Sequence, residues 1–445
     1  MKLNQFKREI FLKKYELLKP NSIHSFSLLM QNEALSHDEL QELSFGKFKA
    51  LVGRAMERCE FYRKFYSEVD FELGDLKAFE DVEQLPVLTR AHLVECQEQI
   101  LEDGCDRSKL NYVTTGGSSG VPVGVFHPRK INRAAALWRM KSWWGVEAWD
   151  DYGTVYREVS DKKKHLKDSV VRWPSARIHL DAAQIDDGSL DSFIAKWNKS
   201  KPNLLHGYVG GIVELADYVK KTGVHFHSPK VIWSTSSPLT GVQKHTFESV
   251  LGGKVFDQYG CCEVFYLAAE GPEKNGLRVF SDLVHIEVVD EQHRGVDYGV
   301  EGEILVTDLE NESFPLIRYS NGDRTAFQER PADCSHPYPL IRGVKGRQSE
   351  RVVLPSGRIL TGEYLTTIFD DYVEFVYQFR VHQKECGNLL LSVVPKNEKA
   401  QLVLEEVRLG LSEKCGGEIE VELKLVESIP QDRGKLRFIS SDYRG

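Results

Sequence analysis

From about residue 200 the chain alternates between two periodicities, and this alternation restricts its fold more than any other feature. "PNLLHGYVGGIVELADYVKKTG" and "QKHTFESVLGG" carry helical spacing and stop at glycine, whereas "KVIWSTSSPL" and "KVFDQYGCCEV" are short apolar runs that end in polar turns. A strand, a helix and another strand in succession build a parallel or mixed α/β sheet. Such sheets collect ligands beyond the carboxyl ends of their strands. "STSSPL" (234–239) and "QYGCCE" (258–263) both stand at such ends.

The flanking segments complete the plan. "MKLNQFKREIFLKKYELLKP" reads as a surface helix rather than a signal peptide, and residues 36–70 read as amphipathic helices. "NRAAALWRMKSWWGV" reads as a helix whose Trp138, Trp143 and Trp144 suit core packing. Strands "VHIEVVD" and "EGEILVTDL" lead to "FPLIRYSNGDRT", which reads as a strand and turn around Asn-Gly. Beyond "GVKGRQSERVVLPSGR" a compact unit follows, with "FVYQFRVHQ", "NLLLSVVP", a helix over 397–413 and strand "EIEVELKLVESIP". The fold class expected is α/β: a large N-terminal α/β domain with mixed or parallel sheets and a helical lead-in over 1–346, a hinge at 347–350, and a small mobile α+β domain over 351–445.

Composition removes several functions. A formal net charge of -8 without a long basic tract argues against nucleic acid as a partner. No apolar run approaches the roughly 18 residues that a membrane helix needs, so no membrane insertion is expected. The eight cysteines include no CxxC pair, which argues against a disulfide framework and a zinc knuckle and fits a reducing cytoplasm.

"YVTTGGSSGVPVGVF" (112–126) carries the first chemical signal. Gly116, Gly117 and Gly120 let backbone approach an anion closely, and Thr114, Thr115, Ser118 and Ser119 add hydroxyl donors. A phosphate cradle and a plain flexible turn fit this segment equally when it is taken alone. It is not a Walker loop, because the Lys-Ser/Thr pair is missing.

The order of motifs says more: "TTGGSSG", "STSSPL", "QYGCCE", "RYSNGD", "GR" at 346–347 and "IPQDRGKLR". This order resembles the adenylate-forming superfamily, and most closely its phenylacetate-CoA ligase and capsular-polysaccharide branch, over nearly the whole chain. "CEFYRKFY" and "LPVLTRAHL" resemble the lead-in of that branch. The resemblance implies ATP and Mg²⁺ as cofactors and a carboxylic acid as substrate. Coenzyme A or an amine-bearing molecule would be the acceptor, and a homodimer is left open. It also implies roles for residues. Thr114 to Gly120 would wrap the β- and γ-phosphates; Ser236, Ser237 and Pro238 would line adenine; Tyr259, followed by Gly260, would lie against it; and Glu263 would ligate Mg²⁺. Asp323 would accept from the ribose hydroxyls, Arg347 would mark the start of the hinge and reach the nucleotide, and Lys435 would bridge the attacking carboxylate and the α-phosphate. His206 and Tyr208 are candidates for the acid pocket.

The sequence departs from the branch in two places. Relatives often carry zinc on a Cys and a His after the YGxxE motif and on a CxC pair before the hinge. Here Gly271 and Arg278 replace the first two, and only Cys334 and His336 remain, so no zinc is expected. Ser349 stands where the family usually has its pivot aspartate. These losses keep a second reading open, a catalytically decayed nucleotide-binding or scaffold protein.

Overall fold

The computed structural model describes residues 2–115, 123–131, 133–156, 169–170, 172–182, 185–235, 239–331, 333–344, 351–356, 359–361, 369, 372, 375–397, 399–429 and 439–443. Their contacts divide the chain into two compact units, Met1–Phe11 with Val146–Asp257 and Lys345–Gly445, and Leu12–Gly145 with Gln258–Val344.

In the first unit the predicted alternation produces parallel pairing. Tyr152–Tyr156 lies between Arg177–Asp181 and Leu204–Tyr208, Leu204–Tyr208 pairs next with Val231–Thr235, and Val231–Thr235 with the first half of Lys254–Cys261. Helices Asp187–Ser200, Val209–Thr222 and Gly241–Leu251 supply the connections. Parallel strands are buried on both faces, which is why these runs are nearly continuous in apolar residues. All five run the same way, so Tyr156, Asp181, Tyr208 and Thr235, which end four of them, share the carboxyl edge.

The C-terminal residues of this unit form a mixed four-stranded sheet in the order Val421–Leu425, Leu389–Pro395, Val376–Gln383 and Ile439–Ser441. Helix Ala400–Lys414 places Leu404, Val407 and Leu411 in the core. Residues 347–350, where the sequence places the hinge, lie outside the described residues.

The second unit is antiparallel and helical. Ser36 and Glu39 close a capping box at the start of helix His37–Arg58, which buries Leu40, Phe48, Leu51 and Val52. Val284–Val289, Gly302–Asp308 and Tyr319–Thr325 form a three-stranded antiparallel sheet. The second half of Lys254–Cys261 pairs antiparallel with Phe265–Glu270. Helix Arg133–Trp143 buries Trp138 and Arg139, while Trp143 is half-buried and Trp144, just beyond the helix, is buried. None of the described helices is long and apolar enough to cross a membrane.

Candidate active site

Two motifs that lie far apart in sequence meet in the second unit. "QYGCCE" turns from strand Lys254–Cys261 into Phe265–Glu270 through a close backbone approach at Gly260. A Cβ at Gly260 would stand 1.8 Å from the Phe265 carbonyl oxygen, so only glycine fits. The ladder shifts register between Tyr259 and Gly260, where Ala268 and Tyr266 are their partners, so Leu267 is the extra residue and the bulge lies in the facing strand Phe265–Glu270.

"RYSNGD" forms a different structure from the Asn-Gly turn that the sequence suggests. Residues 319–325 are one strand, with Leu305 opposite Ser320 and Glu303 opposite Arg324. Asn321, Gly322 and Asp323 therefore oppose Ile304 alone and bulge from the ladder. Gly322 has φ +80°, the left-handed conformation that glycine adopts without penalty. The local dipeptide signal is correct about φ and wrong about chain reversal, because pairing with Gly302–Asp308 resumes at Arg324.

The bulge brings Asp323 against Tyr259. The Tyr259 hydroxyl donates to Asp323 Oδ2 at 2.9 Å, and Asn321 Nδ2 donates to the same hydroxyl at 2.5 Å. Burial, followed by the Asp323 charge, pushes the Tyr259 phenol well above its ordinary range, so it stays a donor.

Glu263, in the turn after Cys261, is 1% exposed. Tyr319 Oη approaches its Oε1 at 3.4 Å, and its Oε2 is buried without a hydrogen-bond partner among the described residues. An anionic oxygen left bare in the interior is costly, and it suits a hard cation. Mg²⁺ is commonly held by one or two carboxylates with phosphate oxygens completing its shell, and a single bare carboxylate fits that demand. The charge of Glu263 also adds to burial in raising the Cys261 thiol.

Three residues absent from the sequence expectation hold this arrangement. His127 Nε2 donates to the Cys262 carbonyl at 3.2 Å, and burial followed by Arg133 lowers its pKa to about 3, which keeps the ring neutral. Arg318 is buried and spans Glu287 Oε1 at 2.9 Å, the Leu85 carbonyl and the His293 carbonyl. Asn321 links Tyr259 to Asp323. Arg318 and Asn321 lie inside the motif, but no spacing rule reveals their partners. Phe265 and Arg318 hold φ values of +81° and +51°, so a strained non-glycine residue stands just after the first motif and another opens the second.

The sequence-predicted residues fall into two groups. Tyr259, Gly260, Glu263 and Asp323 come together in the second unit. Thr114 and Thr115 end strand Leu110–Thr115, opposite Gly124 and Val123. Gly116, Gly117, Ser118, Ser119, Gly120, Ser236, Ser237, Pro238, Arg347 and Lys435 lie outside the described residues. In the first unit, His206 stacks on Trp233 with ring centroids 3.3 Å apart and its Nε2 meets the Tyr156 hydroxyl. Tyr208 packs edge-on to Tyr156 at 4.6 Å. At the other motif, Cys334 Sγ lies 3.1 Å from His336 Nε2, and Arg278 pairs with Glu273 beside them. Burial and then Arg278 lower His336 to about 4.

The fold that carries these residues is shared with known structures. 2-Hydroxyisobutyryl-CoA ligase in its postadenylation state superposes with a TM-score of 0.75 at 22% identity, covering 93% of this chain and 92% of that one. The chain has the fold of the adenylate-forming ligases. Residues 352–442 match the CapK C-terminal domain family. Protein CapK of Staphylococcus aureus is 22% identical over 414 residues, 90% of this chain and 89% of its own length. Phenylacetate-coenzyme A ligase of Pseudomonas putida is 19% identical over 433 residues, 92% and 95% of the two chains. The resemblance carried by the motifs thus extends to the whole architecture of this adenylate-forming ligase fold.

Proposed function

We propose that this protein is an ATP-dependent carboxylic-acid ligase. The acid attacks the α-phosphate of ATP, pyrophosphate leaves, and the thiol of coenzyme A or an amine then displaces AMP from the acyl-adenylate. The observation that carries this reading is the buried Oε2 of Glu263, without a hydrogen-bond partner among the described residues, in the turn after the strand that carries Tyr259 and its bond to Asp323. Asp323 binds the ribose, Tyr259 faces adenine, and Glu263 holds Mg²⁺. When bound, the ion neutralises phosphate charge.

The remaining roles follow the resemblance. Thr114 to Gly120 cradle the terminal phosphates, Ser236 to Pro238 line the base, and Arg347 stands at the start of the hinge. The domain of residues 351–445 carries Lys435, whose ammonium lets two anions approach each other. The acid enters at the carboxyl edge of the parallel strands, where Tyr156, His206, Tyr208 and Trp233 form a polar aromatic wall. Surface-polysaccharide synthesis is the setting that the CapK likeness suggests.

Pyrophosphate release with ATP, Mg²⁺ and hydroxylamine as trap, across pooled aryl, fatty, amino and uronic acids, tests the reading. Release should depend on one pool and fall at least about 100-fold in Lys435→Ala, the scale of losing a charge-stabilising donor. Silence in every pool, together with no ATP binding, would return the protein to the decayed-scaffold reading.

A further inference from the structure

The bulge in strand Tyr319–Thr325 contains an amide whose bonding exceeds what a turn requires. Asn321 and Asp323 are two residues apart, and Gly322 between them takes φ +80°. Asn321 Oδ1 accepts from the Asp323 backbone N–H at 3.0 Å. Asn321 Nδ2 donates to Asp323 Oδ2 at 3.2 Å and to the Tyr259 hydroxyl at 2.5 Å. The hydroxyl in turn donates to Asp323 Oδ2 at 2.9 Å, which closes a ring of three side chains.

An amide is the group this ring requires, since it offers one acceptor and two donor hydrogens in a single plane. A hydroxyl has one hydrogen and could serve Tyr259 or Asp323 but not both. A carboxylate has no hydrogen to give and would place a second negative charge beside Asp323. Through the ring, one side chain fixes the backbone and carboxylate of Asp323 and the tip of the Tyr259 ring.

We propose that Asn321 is the positioning residue of the nucleotide site, setting the Asp323 carboxylate and the Tyr259 ring in the one relative placement that distinguishes ribose from 2′-deoxyribose. This rests on the nucleotide reading above and adds to it a residue that governs sugar selectivity. Asn321 itself touches the two binding groups and acts through them.

The test compares ATP with 2′-deoxyATP for the full-length wild type, Asn321→Ala and Asn321→Thr. Acid-dependent pyrophosphate release gives kcat and KM, and calorimetric titration gives Kd for each nucleotide. In Asn321→Ala, kcat/KM for ATP should fall about tenfold through KM, the scale of one hydrogen bond to a charged group. The preference for ATP over 2′-deoxyATP should shrink by a similar factor, and Asn321→Thr should recover part of it. Equal losses for both nucleotides in both variants would reduce Asn321 to a structural residue and overturn the proposal, as would unchanged selectivity.

The titration separates this failure from failure of the ligase reading. A wild type that releases no pyrophosphate but binds ATP in preference to 2′-deoxyATP, with the preference reduced in Asn321→Ala, supports the positioning role and refutes only the reaction. A wild type that binds neither nucleotide overturns both.

Discussion

Two buried carboxylates in the same compact unit are treated in opposite ways. Asp282 has a fully buried side chain, and every part of it is engaged: Arg139 Nη1 lies 2.6 Å from Oδ2, Arg139 Nη2 lies 3.0 Å from Oδ1, and Asn32 Nδ2 donates to Oδ2 at 2.9 Å. Glu263 is as deeply buried, yet one oxygen has only a long contact from Tyr319 and the other has no partner among the described residues. Burying an ion costs several kcal/mol unless its hydrogen bonds are made. The fold meets that cost at Asp282, whereas among the described residues it supplies no partner for Glu263 Oε2. Under the proposed function, that oxygen is the one that takes Mg²⁺.

Removing the countercharge from the saturated pair should have the largest effect. Arg139→Leu leaves Asp282 buried without its cation, and stability should fall by about 3–5 kcal/mol. Desolvation works against ionisation of Asp282, but Arg139 prevails and its pKa is lowered. The stability it contributes is therefore present above its unfolded value and is lost as pH falls through the lowered one. Denaturant midpoints for wild type and Arg139→Leu should accordingly converge as pH falls below about 4. A constant gap across pH would show that lost packing, rather than charge, explains the variant.

Glu263 should respond in the reverse manner. Glu263→Gln removes an uncompensated charge, so the denaturant midpoint should hold or rise, while Mg²⁺-dependent pyrophosphate release should fall at least about 100-fold, the upper range for a mere supporting partner of a metal ligand. A variant that loses stability along with activity would erase the contrast with Asp282.

How far these roles can be read from sequence depends on the range of the interaction. The parallel strands are visible because each reports its burial through its own residues, and Tyr259, Glu263 and Asp323 are singled out as candidates because the order of motifs is distinctive. The Asn-Gly bulge is misread because a dipeptide rule sees φ and not the neighbouring strand, with which pairing resumes at Arg324. His127 reaches a carbonyl 135 residues away, Arg318 clamps Glu287 across 31, and Arg139 meets Asp282 across 143. Such partners are set by tertiary packing, and no local period encodes them.

A third acid, in the other compact unit, sharpens the comparison with a smaller effect. Asp217 on helix Val209–Thr222 accepts from Gln378 Nε2 at 2.7 Å through Oδ2, and its Oδ1 is buried without a partner among the described residues. Burial and then the Glu214 charge, opposed by Lys220 and the Gln378 bond, push its pKa up to about 8. The sign is opposite to that of Asp282: the folded state binds the proton more tightly than the unfolded chain, so stability falls as pH rises from about 4 towards 8. The slope reaches at most about 1.4 kcal/mol per pH unit. Asp217→Asn keeps an acceptor for Gln378 and removes the titration, so its denaturant midpoint should exceed that of wild type at pH 8 and approach it at pH 5. Glu214, which burial also raises, should leave a residual slope of the same sign in the variant. Parallel pH profiles for the two proteins would mean that Asp217 is ionised without penalty, and that a buried oxygen without a partner is not by itself a sign of an unmet charge.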